Sequence, residues 1–194
     1  MSPSRKKEFY QGGYYHIYNR GANRDLIFFN PENYVYCLRL MRKYKNKYSL
    51  SLIAYCLTPN HYHFIIRQNS ENGISEFMRD VFNTYAQAVN LQQNRKGTLF
   101  QGRFKHIHIE KDEHILQLCR YIHLNPVKAG LVDLPEEWRF SDYPDWIGER
   151  DDTLTDKSFM PENFGSSRNY REFVMEYLEE KRAEKMIEKL IFDE

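Results

Sequence analysis

The chain has 194 residues and a mass of 23.5 kDa, enough for one domain, or one domain plus an appendage, with a buried core. No stretch approaches about 18 consecutive apolar residues and no apolar segment follows the basic N-terminus, which argues against a membrane span or a signal peptide and for a cytoplasmic protein. Cys37, Cys56 and Cys119 are odd in number and scattered, which argues against a disulfide framework or a cysteine-built zinc site and for reduced thiols. The formal net charge of +1 speaks at first against a polyanion partner, but it is a cancellation. Residues 1–130 carry 19 Lys and Arg against 9 Asp and Glu, a net of +10, whereas residues 131–194 carry 9 against 18, a net of −9. Such asymmetry points to a polyanion; a solvated surface with an acidic helix fits the charge equally well.

In chain order, Gly12-Gly13 precedes the aromatic run Tyr14 to Tyr18, a first strand ending at Asn19-Arg20-Gly21. Pro31 opens a helix over 31–46, with Tyr34, Leu38, Met41 and Tyr44 at near-helical spacing. Leu50 to Leu57 is strand-like, Thr58-Pro59-Asn60 breaks it, and His61 to Arg67 resumes with His61, His63, Ile65 and Arg67 on one face and Tyr62, Phe64 and Ile66 on the other. An amphipathic helix follows over 74–94, then an extended stretch over 98–109 with Gly102 as a bend. Asp112 caps a helix over 113–124 that Pro126 stops near Asn125. Strands and helices alternate without long regular crossovers, which favours an α+β layer on an antiparallel sheet. Beyond Gly130, an irregular stretch with Trp138 and Trp146 and a polar segment to Ser167 read as surface wrap and linker, before a C-terminal helix over 169–191.

Two constellations carry chemistry. His61 and His63, two apart on a strand, leave the same face and can converge on one cation with coordination positions open. The spacing alone also fits an ordinary packed strand, and a second His-x-His stands at 106 and 108. Tyr121 and Asn125, four apart beside an apolar helical stripe, stack at a layer boundary. There a phenol oxygen can reach a substrate and an amide oxygen can ligate a metal. With fifteen tyrosines in the chain, a plain boundary tyrosine fits as well.

Four stretches taken together are far more specific: Gly13 to Gly21 (GYYHIYNRG), Ala54 to Ile66 (AYCLTPNHYHFII), Leu99 to Lys105 (LFQGRFK) and Arg120 to Val132 (RYIHLNPVKAGLV). In these the chain resembles the REP-associated tyrosine transposases, relatives of small single-tyrosine insertion-sequence transposases in the His-hydrophobic-His endonuclease superfamily. The resemblance covers most of residues 9–143, which it implies to be the transposase domain, and leaves 144–194 as linker and acidic helical extension. It implies a ferredoxin-like α+β fold and single-stranded DNA carrying a hairpin as substrate. It implies Tyr121 as nucleophile, forming a 5′-phosphotyrosine, and His61, His63 and Asn125 as ligands of Mg²⁺ or Mn²⁺. Asn stands at the last position where related insertion-sequence transposases usually have Gln, one methylene longer in reach.

Arg20, Arg24, Arg103, Lys105 and Lys128 lie in or beside these stretches and are candidates for phosphate contact, with Tyr14, Tyr15 and Phe104 as candidates for base stacking. Two rival readings keep the site but change the outcome: a hairpin binder that does not cut, and a metal-dependent nuclease in which Tyr121 only orients water. The resemblance stops near residue 145. Beyond it the options are a helix packed back on the domain, a contact in a homodimer, or an acidic lid over the basic face.

Overall fold

Aromatic and β-branched runs form four strands, β1 (Tyr14–Arg20), β2 (Leu50–Thr58), β3 (His61–Gln68) and β4 (Lys105–Ile109). A computed structural model describes residues 9–192, with side chains to residue 184. The strands make one sheet in the order β2-β3-β1-β4, every neighbour antiparallel. Helix α1 (Pro31–Tyr48) joins β1 to β2, and α2 (Gly73–Gln92) joins β3 to β4. These two interleaved β-α-β units are the expected ferredoxin-like arrangement.

Both crossover helices lie on one face of the sheet. Asn30 caps α1 by accepting the Asn33 amide at 3.0 Å, and Pro31 occupies its first turn, where no amide proton is needed. From this layer Tyr34, Cys37, Met41, Phe77, Val81 and Tyr85 pack on Tyr15, Ile17, Tyr62, Phe64 and Ile66. The even-numbered residues of β3 therefore face this core, as the alternation predicts.

The opposite face is covered by α3 (Asp112–His123), α4 (Asn125–Lys128), α5 (Tyr143–Trp146), α6 (Phe159–Phe164) and α7 (Ser167–Phe192). Ile53, Cys56 and Ile65 of the sheet meet Ile115, Cys119 and Ile122 of α3 there, with Tyr143, Trp146, Phe159, Tyr170 and Val174 completing a second core. The stretch read as wrap and linker thus supplies buried rings, and α7 packs back on the domain, the first of the options for it. Met186, Ile187, Leu190 and Ile191, within the expected C-terminal helix, lie outside the described side chains. No helix among the described residues is long and apolar enough to cross a membrane.

Three local expectations change. Only Lys105–Ile109 of the 98–109 stretch is strand, because Phe100 makes a single bridge to Gly21 and Gly102 adopts φ +125°, which a side chain resists. Lys111, not Asp112, holds the cap position of α3, and Asp112 lies in the first turn, where its charge suits the helix dipole. Pro126 does not end the helical path: α3 closes at His123, and the chain resumes as α4 with proline in its first turn. Tyr121 and Asn125 consequently sit on two short helices either side of Leu124.

Candidate active site

Antiparallel pairing sets Tyr18 of β1 opposite His63 and Arg20 opposite His61. Because side chains alternate, His16, Tyr18 and Arg20 share the face of the two β3 histidines. The His61 and His63 rings lie 5.2 Å apart, nearly perpendicular.

Each imidazole is oriented by a neighbour. Asn60 donates its amide Nδ2 to the Arg24 carbonyl at 3.2 Å, so its Oδ1 turns to His61 Nδ1 at 2.7 Å and accepts that nitrogen's proton. His61 Nε2 is left with its lone pair, 2.7 Å from Asn125 Oδ1. Two acceptors face each other at that distance, which a cation between them or rotation of the Asn125 amide would satisfy. His63 Nδ1 lies 2.9 Å from His16 Nε2, and when it donates there the other ring nitrogen is free to ligate.

Burial, reinforced by the facing imidazoles, pushes His63 down to about 3, and burial pushes His16 down to about 4. His61 is also lowered, by burial and by Arg20, against the opposing pull of Asn125 Oδ1, which would accept from a protonated Nε2. All three rings are therefore uncharged near neutral pH, the state a metal requires. Among the described residues no group of three or more His, Cys, Asp or Glu could hold an ion. The donors this place could offer a cation are the His61 and His63 imidazoles and the Asn125 amide oxygen, a mixture of the kind Mn²⁺ accepts.

Tyr121 stands edge-on to His63 with ring centres 5.6 Å apart, and at 39% exposure its phenol is open to a substrate. The Lys128 ammonium lies 4.5 Å over the Tyr121 ring. A cavity of about 720 Å³ opens beside the histidines, lined by Arg20, Arg24, Arg103 and Lys105 and, among the described residues, by no carboxylate. Arg24 reaches it from a left-handed turn, φ 55° at Asn23 and 64° at Arg24, a backbone conformation costly for such residues. Gly21 permits that turn: a Cβ there would meet the Asp25 carbonyl oxygen at 2.1 Å.

The structure thus gathers Tyr121, His61, His63 and Asn125, sets four of the five predicted basic residues around the cavity, and places Lys128 on the tyrosine. Tyr15 is not available for base stacking: it is buried under α1 and α2, its hydroxyl accepting the Tyr10 amide at 2.7 Å. Tyr14 packs toward Phe159 and Phe104 toward Phe9. The second His-x-His packs on Phe9 and Tyr15, on the face away from the site. Sequence reasoning missed His16 and Asn60 as groups that orient the imidazoles. His16 lies on the same strand face as Tyr18 and Arg20, a signal that becomes readable only once β1 is known to pair with β3.

Residues 9–125 match the family described as IS200-like transposases. The chain belongs to that family. A Haemophilus influenzae protein assigned provisionally by name to the REP-associated tyrosine transposases is 28% identical over 124 residues, 54% of this chain and 70% of that one. A solved structure of a REP-associated tyrosine transposase bound to a REP hairpin superposes with a TM-score of 0.63 at 21% identity, over 81% of this chain and 96% of the other, and shows a shared fold. A Deinococcus radiodurans structure named provisionally as a transposase overlaps less, with a TM-score of 0.43 at 16% identity over 61% of this chain and 95% of the other.

Proposed function

We propose that this family member is a divalent-metal-dependent endonuclease and strand transferase that cleaves single-stranded DNA beside a hairpin through a 5′-phosphotyrosine. The observation that carries the reading is Tyr121 set against His63, with His61 facing Asn125, at the edge of a cavity walled by arginine and lysine. The fold shared with a transposase bound to a REP hairpin supports a hairpin substrate.

Arg20, Arg24, Arg103 and Lys105 hold the phosphate backbone, and Lys128 keeps the Tyr121 ring in place. Mg²⁺ or Mn²⁺ held by His61, His63 and Asn125 would supply Lewis-acid polarisation of the scissile phosphate. The Tyr121 oxygen attacks phosphorus in line, the bond from phosphorus to the 3′ oxygen breaks, and the strand ends as a 5′-phosphotyrosine and a free 3′-hydroxyl. One phosphodiester is exchanged for another, so a second 3′-hydroxyl reverses the step on a new strand without a nucleotide cofactor.

The test is to incubate the chain and Tyr121→Phe with Mn²⁺ and a labelled hairpin oligonucleotide bearing a single-stranded flank, followed by a denaturing gel. A covalent adduct formed by the native chain and absent from the variant supports the reading. Cleavage without adduct would replace it with a hydrolytic nuclease, and binding without cleavage with an inert hairpin binder.

A further inference from the structure

Helix α7 lies beyond the residues that match the family, yet it grips the segment bearing the proposed nucleophile at three places. Tyr170 reaches His123, with its oxygen 2.5 Å from Nδ1. The Arg120 guanidinium lies over the Phe173 and Tyr177 rings at 4.3 and 4.1 Å. Lys128, over the Tyr121 ring, also lies 5.8 Å from the Tyr177 ring.

The first of these contacts is wholly buried. His123, Asp142 and Tyr170 have no exposed surface. Burial pushes the Tyr170 phenol well above its usual range, so it keeps its proton beside His123 Nδ1. On the other side of the ring His123 Nε2 lies 2.9 Å from Asp142 Oδ1, which as a carboxylate oxygen accepts from it. Asp142 also accepts the Tyr55 amide of β2 at 2.7 Å and the Trp146 indole at 2.9 Å. The chain of bonds runs from the sheet through Asp142 and His123 to α7, with every ring nitrogen satisfied.

His123 follows Tyr121 by two residues and precedes Asn125 by two. At about 100° per residue, both lie on the side of the helical path opposite His123. Leu124 between the two helices keeps helical dihedrals, φ −84° and ψ −3°, so the relation survives the break. Anchoring His123 inward therefore turns Tyr121 out toward His63 and Asn125 toward His61. Apolar side chains could fill the same space at lower desolvation cost, but nothing in their contact would fix the rotation of the helix.

We propose that Tyr170, acting through His123 and Asp142, is a positioning residue that sets Tyr121 and Asn125 for the reaction, which makes the C-terminal helix a working part of the site. The inference rests on the proposed role of Tyr121. It is tested with the full chain, the same oligonucleotide and Mn²⁺, in Tyr170→Phe and in Phe159→Leu, which loosens the same core without touching His123. Three quantities are read: adduct formation at saturating DNA, hairpin affinity, and backbone hydrogen exchange over residues 119–128.

Tyr170→Phe slows adduct formation by about tenfold or more, leaves affinity within about twofold, and speeds exchange over 119–128. Phe159→Leu lowers thermal stability and keeps the native rate. A native rate and native exchange in Tyr170→Phe would overturn the proposal, as would equal slowing by both variants. Absence of adduct from the native chain would instead count against the reading of Tyr121, and the exchange measurement would still decide whether Tyr170 holds 119–128.

Discussion

The two faces of the sheet each bury a core, the larger one under α1 and α2, and differ in what they leave open. Under α1 and α2 the inward residues of β1 and β3 are apolar or aromatic up to the strand ends, Tyr15 and Ile17 beside Tyr62, Phe64 and Ile66, with the buried polar Asn19 and Gln68 closing the two strands. On the other face the same strands change character part-way. Ile65 belongs to the second core, whereas His63 and His61 pass out of it to a basic cavity. Period-two alternation lets one strand satisfy a dry core on one side and a polar site on the other. The rigid side supports the reactive one, since Tyr62 and Phe64 stack at 4.9 Å between and beside the two histidines.

That division is sharpest in neighbouring residues. Tyr121→Phe should abolish the covalent adduct while hairpin affinity stays within about twofold, because only the attacking oxygen is removed; a denaturing gel and a binding titration read the two quantities. Phe64→Ala, on the α1 and α2 side, should cost about 3–5 kcal/mol in stability by denaturant unfolding, since it empties a fully buried ring position. Were Phe64→Ala as stable as the native chain, the rigid role given to that face would be wrong. His16→Ala should lower adduct formation by about tenfold to a hundredfold, through a His63 ring no longer held at Nδ1. A smaller drop after His16→Asn, which can still accept the proton, would identify orientation as the cause. The mildest change is Lys105→Ala: binding should weaken for all sequences alike, and the log–log salt slope should fall by about 0.7, measured by titration across salt concentrations.

The charge polarity of the chain takes a different meaning on this scaffold. The basic front supplies the cavity wall, and no residue beyond Ala129 lines that cavity among the described residues. Several acidic residues of the C-terminal section pair instead with its own bases, Asp145 with Arg150 at 2.6 Å and Glu184 with Lys181 at 2.5 Å, or with the rim of α1, where Asp152 meets Arg42. An exposed pair such as Glu184 with Lys181 adds little stability. The firm attachment of the section is apolar, through Trp146, Phe159, Tyr170 and Val174.

Sequence alone determined the alternation of β3 and the amphipathic helix that follows it, because periodicity is a local property of the chain, and it offered the four residues of the reactive set only through the resemblance of its motif stretches to a known family. It did not show that β1 lies against β3, that His16 orients His63, that Tyr15 is buried, or that Asp142 and Tyr170 close on His123. Those relations join residues 47, 19 and 47 positions apart in the cases of His16 with His63, Asp142 with His123, and Tyr170 with His123. Strand order and helix packing decide them, and both follow from how two apolar faces are buried together, a property of the whole fold that no single stretch of sequence contains.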